Sequence, residues 1–172
     1  MSVFYSMAQK EIVLFRHAKK EFQSSDPDLS PEGVKQAQMI VQIVQKHKLP
    51  QPQHLISSPR RRAQQTLVHL QEEFQIPLIV DPALDERTTH ETRLEFKTRI
   101  NHFLFKDLPL KSFSCAFLCT HLDWIEMFAE ISPLNVDISS DILHIPPAYY
   151  YHMSISHDDA KEWTLIQKGQ IL

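Results

Sequence analysis

An α/β fold with a mostly parallel central sheet flanked by helices is the class this chain predicts, and three observations carry it. Short strand-like runs at Ile12–Phe15, His54–Ser57, Pro77–Val80 and Ser114–Cys119 show little polar alternation, the pattern of strands covered on both faces. Stretches with helical spacing separate them. Three of the runs end abruptly in polar or charged side chains: Arg16-His17, Ser57-Ser58 and Thr120-His121. In open α/β sheets the ligand crevice lies at the carboxyl ends of the strands, so these groups share one rim.

The first strand sits in Glu11-Ile-Val-Leu-Phe-Arg-His-Ala18 and runs straight into charge. After the polar loop Lys19 to Asp28, Ser30-Pro31-Glu32 supplies an N-cap, a proline at the first helical position and an early acid. The helix should run to about His47, with Val34, Ala37, Val41 and Val44 as its buried stripe and Pro50 and Pro52 beyond its end. Gly33 costs about 1 kcal/mol inside a helix relative to alanine, so close approach to the sheet is expected there.

After the strand His54–Ser57, Ser58-Pro59 repeats the cap-plus-proline opening of a helix with core face Ala63, Leu67, Leu70 and Phe74. Arg60, Arg61 and Arg62 fall in its first turn, where cations oppose the helix dipole unless something anionic lies near. Arg60 and Arg61 read as solvated surface charges. The strand Pro77–Val80 leads through Asp81 to Leu84-Asp85-Glu86-Arg87. Residues 91 to 107 form a scaffold helix with Leu94, Ile100, Phe103 and Leu104 as apolar positions and Glu95–Arg99 as an outward i,i+4 pair. The strand Ser114–Cys119 delivers His121, and the helix Leu122–Ile131 packs through Ile125 and Phe128 and stops before Pro133. Late strands are expected at Ile142–Ile145, Tyr149–Ile155 and Trp163–Gln167, the last two joined through His157-Asp158-Asp159. Pro146-Pro147-Ala148 is assigned no site.

The chain of 172 residues has the size of one domain, taken as 1–172 with its motifs in 11–131. A net charge of −3 predicts no general affinity for nucleic acid or anionic membrane. With two glycines there is no Gly-rich phosphate-cradling loop, so a phosphate must be held by side chains and helix termini. Residues 1–9 carry no signal-peptide or membrane-span pattern, and the expected address is cytoplasmic. Cys115 and Cys119, four apart in a strand, would be about 13 Å apart at ~3.3 Å per residue, too far for a disulfide. The ten histidines show no metal-ligand spacing, so neither a metal nor a cofactor is expected.

The order Arg16-His17, then Ser57-Ser58-Pro59-Arg60-Arg61-Arg62-Ala63-Gln64-Gln65-Thr66, then Thr120-His121 resembles the histidine phosphatase (phosphoglycerate mutase-like) superfamily. The middle motif, S-S-P-x-x-R-A-x-Q-T, is the specific one. Leu29-Ser30-Pro31-Glu32-Gly33 is similar to the start of that family's first helix, and Ala18 replaces the commoner glycine after the histidine. The resemblance implies a three-layer, phosphoglycerate mutase-like sandwich and a phosphatase working through a phosphohistidine. It assigns His17 as nucleophile, Arg16, Arg62 and His121 as phosphate holders, and Glu86 as proton donor, with Arg87 as a further substrate contact. Asp85 and Glu91 are the rivals of Glu86.

Phosphoryl transfer asks a protein chiefly for positioning and charge neutralisation, and arginine forks meet phosphate oxygens two at a time. His17 would attack as a neutral imidazole, with His121 protonated or hydrogen-bonding. The short connection between the third strand and His121 leaves an open site. The small phosphohistidine phosphatases are therefore the first branch to consider, a small-molecule phosphomonoesterase the second, and a non-catalytic phosphate-binding module the alternative of another class.

Overall fold

The computed structural model describes residues 9–46, 48–155 and 162–172. In it the apolar runs become β1 (Lys10–Arg16), β2 (His54–Ser57), β3 (Leu78–Val80) and β4 (Cys115–Thr120), followed by β5 (Tyr149–Ile155) and β6 (Trp163–Gln170). They form one sheet in the order β3-β2-β4-β1-β5-β6. The first four strands are mutually parallel, and β5 and β6 add an antiparallel edge.

Strand alternation distributes side chains to two apolar layers. Val13, Phe15, Leu55, Phe117 and Cys119 face α1 (Pro31–Gln45) and α2 (Arg61–Phe74). Ile12, Leu14, Ile56, Ala116 and Leu118 face α3 (Arg93–His102) and α5 (Leu122–Ile131). Between those two helices the chain passes through a π turn (Phe103–Asp107) into a single turn, α4 (Leu108–Leu110). Helix, sheet, helix is the three-layer sandwich the sequence predicted. Both cysteines are buried and free, and burial pushes each thiol up to about 12. No helix among the described residues is long and apolar enough to cross a membrane.

Local physics moved several elements. Ser30 caps α1 as expected, its side chain accepting from the Gly33 amide. The buried face, however, is Gly33, Gln36, Ala37, Ile40 and Val44, which leaves Val34 exposed and Val41 half-buried. Gly33 sets that face by lying against the backbone of Lys19, not against the sheet: a Cβ there would stand 2.0 Å from the Lys19 carbonyl oxygen.

Helix α2 begins at Arg61, because the Ser58 hydroxyl instead accepts from the Arg60 amide (3.2 Å) in the turn before it. In α3, Glu95 closes a capping box with Thr92 and is not free to pair with Arg99. Arg99 takes Glu91, and Leu94 lies exposed. The strand expected at Ile142–Ile145 is a 3-10 turn, Ser139–His144, started by Asp137 accepting from the Ser139 amide (2.8 Å). Pro146 and Pro147 lack the N–H a ladder needs, so pairing resumes only at Tyr149. His47 and the turn at His157-Asp158-Asp159 lie outside the described residues.

Candidate active site

Register places the rim residues side by side. β1 and β2 both flank β4, and just past their ends the His17 amide donates to Thr120 O (3.0 Å) and the Ser58 amide to Cys119 O (3.0 Å). The His17 and His121 rings consequently lie 5.3 Å apart. Thr66 holds the chain after His17 onto α2, its hydroxyl accepting from the Ala18 amide (2.9 Å) and donating to Arg62 O (2.7 Å). This explains the threonine that closes the long motif.

His17 Nδ1 lies 2.8 Å from the Ala18 carbonyl, which only accepts, so that nitrogen carries the ring proton. The lone pair is left on Nε2. Arg62 Nε donates to it (3.2 Å), and Arg62 is 3% exposed. A second guanidinium nitrogen of Arg62 donates to His121 Nδ1 (3.3 Å) and to Glu86 (2.6 Å), and Asp26 pairs with the third (3.4 Å). One buried cation therefore bridges both histidines. Desolvation is the first cause that lowers both rings, with Arg62 a further one for each. His17 is held at about 3 and His121 at about 2, both neutral near pH 7.

Because Arg62 can only donate, His121 Nδ1 accepts, and its ring proton lies on Nε2. From there it goes to Ser58 Oγ (2.7 Å), whose own proton faces Asp85 Oδ1 (3.3 Å). Asp85 in turn accepts from Arg60 Nε (2.8 Å).

The 82–86 segment is held in place by α3, α5 and β4. Arg99 donates to the carbonyls of Pro82, Ala83 and Asp85 and, at 3.4 Å, to that of Glu86. Thr120 Oγ1 donates to Leu84 O (2.7 Å), and the Trp124 indole to Ala83 O (2.8 Å). Glu86 is thereby aimed at Arg62.

Arg16 reaches across to the Ile145 carbonyl, while its Nε is buried with no partner among the described residues. Desolvation lowers its pKa, against the pull of Glu126. Burying a guanidinium N–H without an acceptor is costly, and an anion beside Arg16 and Arg62 would supply one.

The family model "Histidine phosphatase superfamily (branch 1)" matches residues 12–130. The chain belongs to the histidine phosphatase superfamily. Among solved structures, a mycobacterial glucosyl-3-phosphoglycerate phosphatase is similar at 19% identity with a TM-score of 0.70, covering 91% of this chain and 96% of that one. A protein from Nakamurella multipartitia, provisionally named phosphohistidine phosphatase SixA, aligns at 16% identity and TM-score 0.73 over 95% of this chain and 97% of its own. A phosphoserine phosphatase mutant from Entamoeba histolytica aligns at 14% and 0.71 over 92% and 96%. At these identities the likeness is one of fold. No curated protein sequence matches the chain.

Of the expected site residues in this histidine phosphatase, Arg16, His17, Arg62, His121 and Glu86 converge. Arg87 does not join them: its side chain is exposed and lines a neighbouring cavity of about 420 Å³ with Arg93, Phe96, Asp123 and Glu126. Glu91 is held in a two-point pair by Arg99 (2.8 Å each), which lowers its pKa. Asp85 faces Ser58 and Arg60, so of the three acid candidates Glu86 is the one on Arg62, where Asp26 also pairs. Arg60, read from sequence as a surface charge, is an inner member paired with Asp85 and Glu86, whereas Arg61 is exposed and pairs with Asp28. Ser58, Asp26 and Arg99 were missed. Only Ser58 had a visible signal, its place inside the long motif. The Pro146-Pro147-Ala148 segment also serves the site, since the Ala148 amide donates to His17 O (3.1 Å) from a left-handed conformation (φ 58°).

Proposed function

We propose that this protein is a phosphatase working through a phosphohistidine on His17 Nε2, within a single domain, and that protein phosphohistidine is its substrate class. The observation that supports the chemistry best is the buried Arg62 guanidinium shared by the two histidine rings, with the His17 lone pair directed at it. An incoming phosphoryl group takes over the Arg62 donors, meets the unpartnered Arg16 Nε, and brings phosphorus before Nε2. The P–N bond to His17 forms as the substrate's own P–N bond breaks, its imidazole leaving neutral with a proton on its other ring nitrogen; for a phosphomonoester it is a P–O bond that breaks, and Glu86, freed from Arg62 and protonated from solvent, protonates the departing oxygen. The Nδ1–H bond to Ala18 O steadies the positive charge on the phosphorylated ring. The Glu86 carboxylate then takes a proton from water, water attacks phosphorus, and the P–N electron pair returns to Nε2. Arg16 and Arg62 supply the charge neutralisation.

An open mouth supports a bulky substrate: Glu86 and Asp26, both on Arg62, are about one-third exposed. A small phosphomonoester is the second reading, favoured by the cavity that Arg87 and Arg93 line beside the site. Purified protein should be offered phosphohistidine peptide, sugar phosphates and phosphoserine peptide. Turnover on the first, with an acid-labile and base-stable phosphoryl group trapped on the wild type and absent from His17→Ala, is expected. Undiminished turnover in folded His17→Ala removes His17 as nucleophile, and binding without turnover of any substrate leaves a phosphate-binding module.

A further inference from the structure

Behind His121, on the Nε2 side of its ring, Ser58, Asp85 and Arg60 form a connected chain that the phosphatase reading does not use. Ser58 is fully buried and saturated: it accepts from the Arg60 amide and from His121 Nε2–H, and donates to Asp85. We infer that Asp85, acting through the Ser58 hydroxyl, is the counter-charge that lets His121 take up a proton when a phosphoryl group binds, which makes Ser58 and Asp85 positioning residues of the phosphate site. This rests on the reading of His121 as a phosphate contact.

His121 Nδ1 is an acceptor, satisfied by Arg62. An unprotonated phosphoryl oxygen is also an acceptor, so once Arg62 turns onto phosphate two lone pairs would face each other. His121 holds the phosphate only when a proton arrives on Nδ1. The ring already carries one on Nε2, committed to Ser58, so the added proton makes an imidazolium in a residue 2% exposed.

A buried cation needs anions close by. Phosphate supplies one side. On the other, Asp85 Oδ1 lies 3.8 Å from Nε2 with Ser58 Oγ touching both. Glu86 is 3.9 Å from Nδ1 but stands on the phosphate side and is taken up with Arg62. Burial first of all, and then neighbouring His17 and the cations Arg62, Arg60 and Lys20, keep the ring unprotonated. Phosphate offsets Arg62, and Asp85 already offsets Arg60 (2.8 Å). Asp85 is fixed for the task, with the Glu86 amide donating to the same oxygen (2.9 Å).

The full chain, labelled with ¹⁵N at histidine, should be titrated at about pH 9 with methylphosphonate as the phosphate probe, which above its second ionisation keeps no P–OH proton and offers Nδ1 only acceptors. Free protein should show His121 protonated on Nε2 alone. The complex should show both nitrogens protonated, and calorimetry in buffers of different ionisation enthalpy should show about one proton taken up per methylphosphonate bound. Asp85→Asn, which keeps the shape and removes the charge, should lose most of that uptake and bind methylphosphonate about tenfold more weakly, the equivalent of one pKa unit. Ser58→Ala should do the same, and Ser58→Thr, which restores the hydroxyl, should recover it. A wild-type complex with neutral His121, or full uptake in Asp85→Asn, overturns the inference and leaves the phosphatase reading intact. No methylphosphonate-dependent shift at His17 or His121 in wild type overturns both.

Discussion

Gly33→Ala tests whether the fold and the site share one contact. The added Cβ would lie 2.0 Å from the Lys19 carbonyl oxygen, at least 1 Å closer than such atoms approach. That oxygen accepts from the Ser30 amide (2.9 Å) and, at 3.2 Å, from the Ser30 hydroxyl, while the Lys19 amide donates to buried Gln36 (3.0 Å). Relief therefore requires moving hydrogen-bonded backbone. Alanine gains about 1 kcal/mol in helix propensity. Overpacking costs about 1–3 kcal/mol, and weakening two hydrogen bonds roughly 0.5–1.5 kcal/mol each, for a net loss of about 1–5 kcal/mol. Urea unfolding should show a lower midpoint with an unchanged slope. Lys19 adjoins Ala18, whose carbonyl fixes the His17 tautomer, so kcat should fall in the fraction that stays folded. A variant as stable as wild type would refute the close approach.

Arg62→Ala should lower kcat/KM by on the order of 10²-fold or more, because a donor to the developing charge is lost; Arg60→Ala should cost less, acting only through Asp85 and Glu86, and equal losses would show that the two roles are misassigned. Stability should depend on pH through the buried histidines. His17 and His121 are held at about 3 and about 2 against an ordinary 6.5, so the unfolded chain binds protons that the folded one does not. Their contribution is fully present above about pH 6.5 and is lost as pH falls toward 3, by up to about 1.4 kcal/mol per pH unit per ring. Urea midpoints from about pH 7 to pH 4 should fall less steeply in His121→Asn than in wild type, and equal slopes would contradict the burial argument. Glu86→Gln should slow single-turnover phosphorylation far more for an alkyl phosphate, whose leaving oxygen needs a proton, than for an aryl phosphate; equal loss on both would assign Glu86 to binding.

What the sequence showed clearly was whatever depends on near neighbours. The unalternating runs that became β1, β2 and β4 needed only their own composition, and the Ser30 cap only the three residues after it. The misread elements are those in which a distant group wins. Glu95 and Arg99 have good i,i+4 spacing, yet Thr92 captures one and Glu91 the other. Ser58-Pro59 looks like a helix opening, yet the Ser58 hydroxyl is taken by His121 and Asp85. Ile142–Ile145 has strand composition, but the Asp137–Ser139 turn before it and two prolines after it remove the pairing it would need.

Arg60 and Arg62 show why the motif could name site residues without giving their balance. Both sit near the start of α2 with the same charge, and only the fold reveals that each faces carboxylates from other segments: Asp85 and Glu86 for Arg60, Asp26 and Glu86 for Arg62. Counting Arg16, the site holds three arginines against three carboxylates, with both histidines neutral. On the proposed function, a phosphoryl group entering it exchanges with carboxylates already on Arg62 and does not simply fill a positive hole. Exchange weakens ground-state binding, so the arginine donors contribute most where the phosphoryl oxygens carry more charge than Glu86 or Asp26 can match, which is in the transition state. The same balance favours release of inorganic phosphate, because the carboxylates are positioned to reclaim Arg62 as the product leaves.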